Sequence, residues 1–341
     1  MAQHSGEGVC SPPFSSLAAA RLRLTNLPTP SRILAVAEYG FSLRFIDPAA
    51  GVEWCRVAAD VCTDKLEPSI RGRVLGYFGN SLRVVGRYND AREALRLALE
   101  DLPGDPHLLE FKAGLLRDVR QLDEADECLR DAARLRQAAG DVAGFARTMI
   151  LTAQVMDLAG EPQEAARLCL KALDLLDGSV DPTCSLLRVA VQNYALFLCN
   201  SGKAEEALRA LRTAEQLLAG GEPCFQLRLD WLFGKIAASL GDESAELRLE
   251  SVRQKLEEGG LFQEAALATL DLARYFVRRR DPRAASTALA VSPLLESLGI
   301  DRDAREAKLL SQIATAGTNI ENLVSELYAA IAVRPAARQI T

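Results

Sequence analysis

The sequence predicts an all-α fold, an α-α superhelix of about seven stacked helical hairpins followed by a C-terminal capping helix. A turn-forming patch is followed seven times by a small residue that opens a second helix: Ala50, Ala91, Ala125, Ala165, Ala207, Ala245 and Ala285. The intervals between these alanines are 41, 34, 40, 42, 38 and 40 residues. Self-similarity at this period is typical of helical solenoids, because a single hairpin cannot bury its apolar face and must stack on its neighbours.

The sequence of the N-terminal region predicts little regular structure before the first hairpin. Residues 1–30 hold two proline-rich pieces around a short apolar stretch at 17–24, and we expect most of them to be disordered. Residues 31–70 predict a degenerate first hairpin, because large apolar residues lie on both sides of a turn at Asp47 and Pro48.

The clearest repeat lies at residues 72–105, near the start of an array that we place at 71–300. The residues that form the repeat pattern lie on one face of each predicted helix or in the turn region. They are Leu75, Phe78, Gly79, Leu82, Gly86, Tyr88, Ala91, Leu95, Ala98 and Pro103. This pattern resembles the tetratricopeptide repeat, except that Leu75 stands where the family has Trp and Leu82 where it has an aromatic residue. The small residues let two helix backbones approach, and the large ones fill the space between them. The other units align more loosely, with spacings near 40 residues against about 34 in the family.

Four further segments, residues 160–165, 192–198, 231–237 and 298–304, resemble the repeat-containing C-terminal portion of a group of bacterial regulatory proteins. In that group the repeats are often joined to a helix-turn-helix or to a small zinc-binding, anti-sigma-like domain. We expect neither domain here, because the first 30 residues are too few and contain one cysteine. The resemblance therefore concerns the repeat array and leaves the function open.

The C-terminal region predicts capping helices over residues 301–333 and a tail at 334–341. One helix is expected around residues 303–315. A second, amphipathic helix begins at a capping box formed by Thr318 and Glu321. Together they are expected to cover the apolar side of the last hairpin.

Composition argues against several classes of function. The net charge of −6 disfavours general nucleic-acid binding, and no apolar stretch is long enough to predict a membrane span. We therefore expect a cytoplasmic protein that binds neither nucleic acid nor membrane directly.

Residues that carry metal and catalytic chemistry are scarce. The eight cysteines stand singly, without a Cys-x-x-Cys motif, and the two histidines are His4 and His107. The glycines at 72, 76 and 79 lie inside a predicted helix and do not form the strand-to-helix turn that binds phosphate. The sequence therefore predicts no metal, no organic cofactor and no enzyme activity.

The tetratricopeptide resemblance implies a partner-binding groove on the concave side of the array. In that family, ligand contacts come from one face of each first helix. The corresponding positions here include Arg73, Asn80, Arg83, Arg117, Arg147, Gln154, Gln192, Arg228, Trp231, Lys235 and Arg274. Several of the arginines lie near predicted helix N-termini, where the helix dipole opposes positive charge. This indicates a basic groove for an acidic segment; the alternative is an arginine-rich helix face that only contacts water.

Two classes of function remain open at this stage. The first is a non-enzymatic interaction scaffold that captures an acidic peptide, tail or partner domain in its groove. The second is a signal-responsive regulatory subunit that controls a separate effector, such as a sigma factor, a transcription factor or a protease. Oligomeric state is not predicted.

Overall fold

The computed structural model describes residues 12–26, 28–63, 65–177, 185–219 and 222–316. Within these ranges the chain is helical and contains no β-strand. The helices are α1 (Leu17–Asn26), α2 (Pro30–Ser42), α3 (Pro48–Ala59), α4 (Pro68–Val84), α5 (Tyr88–Asp101), α6 (Pro106–Asp118), α7 (Leu122–Ala138), α8 (Val142–Leu158), α9 (Pro162–Leu176), α10 (Ser185–Asn200), α11 (Ala204–Thr213), α12 (Glu215–Leu218), α13 (Pro223–Leu240), α14 (Ser244–Glu258), α15 (Phe262–Arg279), α16 (Ala284–Ser297) and α17 (Asp301–Ala316).

Consecutive helices pair into seven hairpins, which confirms the predicted all-α solenoid. We call α2, α4, α6, α8, α10, α13, α15 and α17 the inner helices, and α3, α5, α7, α9, α11, α14 and α16 the outer helices. Each inner helix packs on the next inner helix, whereas each outer helix packs mainly on the inner helices around it. Because the hairpins approach more closely on the inner side, the array curves and the inner helices line its concave surface.

Small residues permit the close crossing of α4 and α5, as the repeat pattern predicts. A Cβ atom on Gly79 would lie 2.8 Å from Cγ of Leu95 and 3.3 Å from the carbonyl oxygen of Ala91. Leu95 and Ala91 are themselves buried. The two backbones therefore approach to a distance that a larger residue at position 79 would prevent.

The alanines that define the repeat are mostly buried at helix crossings. Those that are fully buried are Ala91, Ala125, Ala165, Ala207 and Ala245. Ala50 and Ala285 are partly buried, and in the last hairpin Ala284 and Ala288 turn inward instead. The predicted repeat alignment is thus offset by one residue in the seventh hairpin but holds from the second to the sixth hairpin.

The N-terminal region differs from the sequence expectation of disorder over residues 1–30. Helix α1 spans Leu17–Asn26, and its Ala20 and Leu24 are fully buried in a cluster with Trp54 and Val57. Alanine, leucine and arginine are strong helix formers, and the i, i+4 spacing of the buried pair gives the helix one apolar face. The expectation is therefore wrong for this helix, while residues 1–11 and 27 lie outside the described ranges.

At the C-terminal end, α17 packs along α16 and α15 and lies within the predicted capping region. The second predicted capping helix, with Thr318 and Glu321, and the predicted tail at 334–341 lie outside the described residues. Among the helices described above, none has the length and apolar character needed to cross a membrane.

Candidate functional site

The predicted groove residues all lie on inner helices, and the structure brings most of them into contacts with the neighbouring inner helix. Helix α4 carries Arg73, Asn80 and Arg83, and α6 carries Arg117. Helix α8 carries Arg147 and Gln154, and α10 carries Gln192. Helix α13 carries Arg228, Trp231 and Lys235, and α15 carries Arg274. We call the surface formed by these helices around the superhelix axis the inner face.

Cations on the inner face pair with carboxylates on the neighbouring inner helix. The pairs are Arg73 with Glu38, Arg83 with Asp118, Arg228 with Glu264, Lys235 with Asp271 and Arg274 with Glu306. The contact of Arg274 is bidentate, with its Nε and Nη2 donating to the two carboxylate oxygens at 2.6 and 2.7 Å. The inner face is therefore mixed in charge, whereas the sequence predicts a basic groove.

Two buried carboxylates are held in the charged form by these pairs. Burial alone would raise the pKa of Asp118, but Arg117 and Arg83 outweigh it and bring the pKa below its ordinary value. Asp271 behaves in the same way, because Lys235 and Arg274 outweigh burial and lower its pKa. Oδ2 of Asp271 also accepts a hydrogen bond from Nε1 of Trp231 at 2.9 Å, which fixes the indole ring on the inner face.

A second set of contacts runs from the guanidinium of Arg117 on α6 to amide side chains on α8 and α10. Arg117 donates to Oε1 of Gln154, whose Nε2 donates to Oδ1 of Asn193 at 3.2 Å. Asn193, one residue beyond the predicted Gln192, is the side chain that extends this row. Amide groups both donate and accept, so such a row can match the backbone of an extended peptide.

An aromatic row crosses the first three inner helices, and sequence reasoning missed it. Phe41, Tyr77 and Phe111 come from α2, α4 and α6, with ring centroids 4.7 Å apart for the first pair, 5.5 Å for Phe41 and Phe111, and 6.4 Å for Tyr77 and Phe111. The guanidinium of Arg44 lies 3.8 Å from the ring centroid of Phe41. The signal in the sequence is the recurrence of an aromatic residue after 36 and then 34 residues. These rings offer apolar surface beside the charged pairs.

Arg147 is the predicted groove cation with the loosest internal pairing. Its nearest carboxylate oxygen, on Glu110, is 3.9 Å from Nη1, and that carboxylate is already bound by Thr148 at 2.7 Å and by Arg136 at 3.3 Å. Burial, with Arg136 and Arg147, lowers the pKa of His107, which favours the neutral ring. Nδ1 of His107 can then accept a hydrogen bond from Nη1 of Arg147 at 3.3 Å.

The array also makes contacts across its own axis. The ring of Phe45, in the turn after α2, lies 4.9 Å from the guanidinium of Arg228 on α13. In addition, Arg120 in the turn after α6 binds Asp303 on α17, 183 residues further along the chain. The superhelix is therefore closed on itself, and its first hairpins partly cover the inner face of the last ones.

Within the described ranges, no group of three His, Cys, Asp or Glu side chains is arranged to hold a metal ion. Burial raises the pKa of both Cys55 and Cys169 to about 12, as is typical of thiols that serve as small core residues. The expected absence of metal and cofactor stays a prediction.

The fold and the order of its hairpins define a helical-repeat protein of the tetratricopeptide type. Among solved structures, the chain is similar to a Rap protein complexed with competence and sporulation factor, with a TM-score of 0.62 and 14% identity over 84% of this chain and 85% of that one. It is also similar to aspartyl phosphate phosphatase F from Bacillus subtilis, with a TM-score of 0.60 and 15% identity over 82% and 73% of the two chains.

A third similar structure is the Rap conjugation gene regulator of the plasmid pLS20 in complex with the Phr* peptide. Its TM-score is 0.59 at 14% identity, over 93% of this chain and 83% of that one. No protein-family model matches the sequence, and a comparison with curated proteins finds no match. At this level of identity the similarity establishes the fold.

Proposed function

We propose that this protein is a non-enzymatic tetratricopeptide-type scaffold that binds an extended segment of a protein or peptide along its inner face. The observation that carries the proposal is the alignment of amide, aromatic and charged side chains from successive inner helices on one surface. An extended segment matches such a surface, because its backbone meets the amide row and its side chains meet the flanking residues. Two of the similar structures are complexes with a peptide or factor, which supports a peptide-like partner.

The partner, we infer, carries an acidic group next to an apolar side chain. Arg147 has no carboxylate oxygen within 3.5 Å among the described residues, so a partner carboxylate can bind it without first displacing a strong internal pair. His107, which contacts Arg147, lies on α6 one turn before Phe111 of the aromatic row. The acidic group would therefore bind near Arg147 while the apolar side chain packs on the aromatic row.

A signal-responsive regulatory subunit is the second candidate, favoured by the closed arrangement of the superhelix. Because the first hairpins contact α13 and α17, a ligand that binds the inner face more tightly in an open form would shift the array toward that form. Such a shift could control a separate effector, for example a sigma factor, a transcription factor or a protease.

We do not assign enzyme activity, although one similar structure is a phosphatase. The described histidine, His107, contacts Arg147 and lies 3.7 Å from Glu110, and the inner-face carboxylates Asp118, Asp271 and Glu306 are engaged by arginine or lysine. These groups are held in structural pairs and are not arranged as a nucleophile with a base. Direct binding of nucleic acid is not proposed either.

The test begins with capture of the partner from the native host by the tagged full chain, followed by mass spectrometry. Association kinetics are then measured for the wild type, for Arg147→Ala and for Arg134→Ala, a matched control on the outer helix α7. Arg147→Ala is expected to slow association at low salt, whereas Arg134→Ala removes the same charge and leaves it unchanged. Equal rates for the two variants would contradict an acidic contact at Arg147.

The aromatic row is tested separately through dissociation. Phe111→Ala is expected to weaken the complex by about tenfold, mostly through faster dissociation, since buried aromatic anchors dominate interface energetics. The control is Phe262→Ala, because Phe262 is exposed and lines a hollow between the outer helices α14 and α16. If Phe262→Ala weakens binding as much as Phe111→Ala does, the partner does not bind along the inner face.

A further inference from the structure

Two turns of the array, at Arg120 after α6 and at Arg280 after α15, depart from the glycine that follows four other inner helices. The residue after the end of an inner helix adopts a left-handed conformation with positive φ in successive hairpins. Glycine occupies this place at Gly86, Gly160, Gly202 and Gly241, with φ between 74° and 90°. After α6 the same place holds Arg120, with φ of 64°. A side chain in this conformation costs free energy relative to glycine, and at Arg120 a contact across the array offsets this cost.

That contact is with the far end of the array. Nε and Nη2 of Arg120 donate to the two carboxylate oxygens of Asp303, at 2.8 and 3.1 Å. Both side chains are nearly buried, with 13% and 11% of their surface exposed. A planar guanidinium bound at two oxygens fixes the direction of approach as well as the charge. The pair therefore joins the turn between α6 and α7 to the first turn of α17.

Two other turns contact the same region near α17. Arg302 donates to the backbone carbonyl of Leu158 at the end of α8. A side-chain methyl group of Leu298, in the turn before α17, lies 3.7 Å from where a Cβ of Gly86 would be. Three consecutive turns, after α4, α6 and α8, thus touch the segment around the start of α17.

These contacts are made by side chains, and the helices themselves do not pack together there. Among the described helices, α17 packs along α15 and α16. The link to the first half of the array consists of an ion pair, one hydrogen bond to a carbonyl and the packing of Leu298 against the buried cluster that contains Leu82 and Leu115. Because the described helices do not pack on one another across this link, it can break without loss of the hairpins on either side.

We propose that Arg120, Asp303, Arg302 and the carbonyl of Leu158 form a latch that holds the free protein closed and restricts access to its inner face. The latch itself is a property of the free chain, while its importance for partner access rests on the function proposed above. Breaking it separates α17 from the turns after α6 and α8 and is expected to widen the space in front of α13, where Phe45 contacts Arg228.

The test compares two arginine-to-glycine variants, each at a left-handed position. Arg120→Gly removes the ion pair of the latch while placing glycine where positive φ favours it. Arg280→Gly is the matched control, because Arg280 has φ of 56° in the turn after α15, is exposed and lies outside the latch. Asp303→Asn, compared with Asp301→Asn in the same first turn of α17, tests the other side of the pair.

Opening is read out in the free protein by hydrogen exchange and by fluorescence quenching. In Arg120→Gly, amides in the middle of α17 should exchange roughly tenfold faster, which corresponds to ~1.4 kcal/mol in the opening equilibrium. Trp231 lies on the inner face and Trp54 is buried in the first hairpin, so acrylamide quenching should rise through Trp231. The rise should vanish when Trp231→Phe is combined with Arg120→Gly.

The outcomes of these measurements test the latch independently of the proposed function. If Arg120→Gly and Arg280→Gly both behave as the wild type, or both open equally, there is no latch. Faster exchange in α17 without greater quenching of Trp231 would overturn the control of access to the inner face. Since no partner is present in either measurement, these results hold whether or not a binding partner is found.

Discussion

Gly79→Ala tests the packing that defines the repeat, and Gly114→Ala provides its control. Both glycines are buried inside inner helices, so alanine should stabilise each helix by about 1 kcal/mol through propensity alone. They differ in what the new methyl group meets. At position 79 the Cβ would lie 2.8 Å from Cγ of the buried Leu95, whereas at position 114 it would meet the side chain of Arg83 at 3.4 Å.

The contact at position 79 is too short for any real Cβ, so either the buried side chain of Leu95 or the two helices must shift. Overpacking of this kind costs about 1–3 kcal/mol. Because the helix-propensity gain is common to both variants, the difference between them isolates this cost. We expect Gly79→Ala to be less stable than Gly114→Ala by about 1–3 kcal/mol. Urea unfolding at fixed protein concentration measures the difference through the midpoint, with the slope unchanged. Equal stability of the two variants would refute the close crossing of α4 and α5.

Further predictions concern charge, thiols and metal. Asp118→Asn should destabilise the fold at pH 7 by about 2–3 kcal/mol, because its carboxylate lies between two arginines, and urea unfolding checks this. Asp157→Asn should leave the thermal midpoint unchanged or raise it, since burial raises the pKa of Asp157 and disfavours its charge. The lowered pKa values of Asp118 and Asp271 mean that their contribution is present above the ordinary value of 3.8 and is lost as pH falls through the folded pKa. Thermal midpoints should therefore drop steeply below about pH 4. Native thiol titration at pH 8 should leave Cys55 and Cys169 unreacted, because burial raises the pKa of each to about 12. Elemental analysis of protein purified without added metal should show no stoichiometric zinc.

The order of the hairpins could be predicted from the sequence because helix periodicity and turn glycines are local signals. The crossing of α4 and α5 follows from Gly79, Ala91 and Leu95, each of which has the size that the repeat pattern demands. Helix α1 was missed because its apolar stretch is short and flanked by prolines, and its stability comes from burial of Leu24 against another helix.

The inner face could be placed from the sequence, but its contacts could not. The repeat register predicts that Arg83 and Arg274 lie on the concave side. It does not predict that Asp118 and Glu306 lie opposite them on the next inner helix. The contact of Arg120 with Asp303 depends on the rotation accumulated over successive hairpins, which no local pattern encodes.

The pairing of Arg120 with Asp303 also limits how the array can change in length. In an open solenoid each repeat touches only its neighbours, so a repeat can be gained or lost with small effect elsewhere. Here Arg120 in the turn after α6 must contact Asp303 on α17. Deleting one hairpin between them would therefore move Asp303 out of reach of Arg120. Insertions and duplications are thus compatible with closure only outside residues 120–303. The closed superhelix therefore fixes the number of repeats between these two residues.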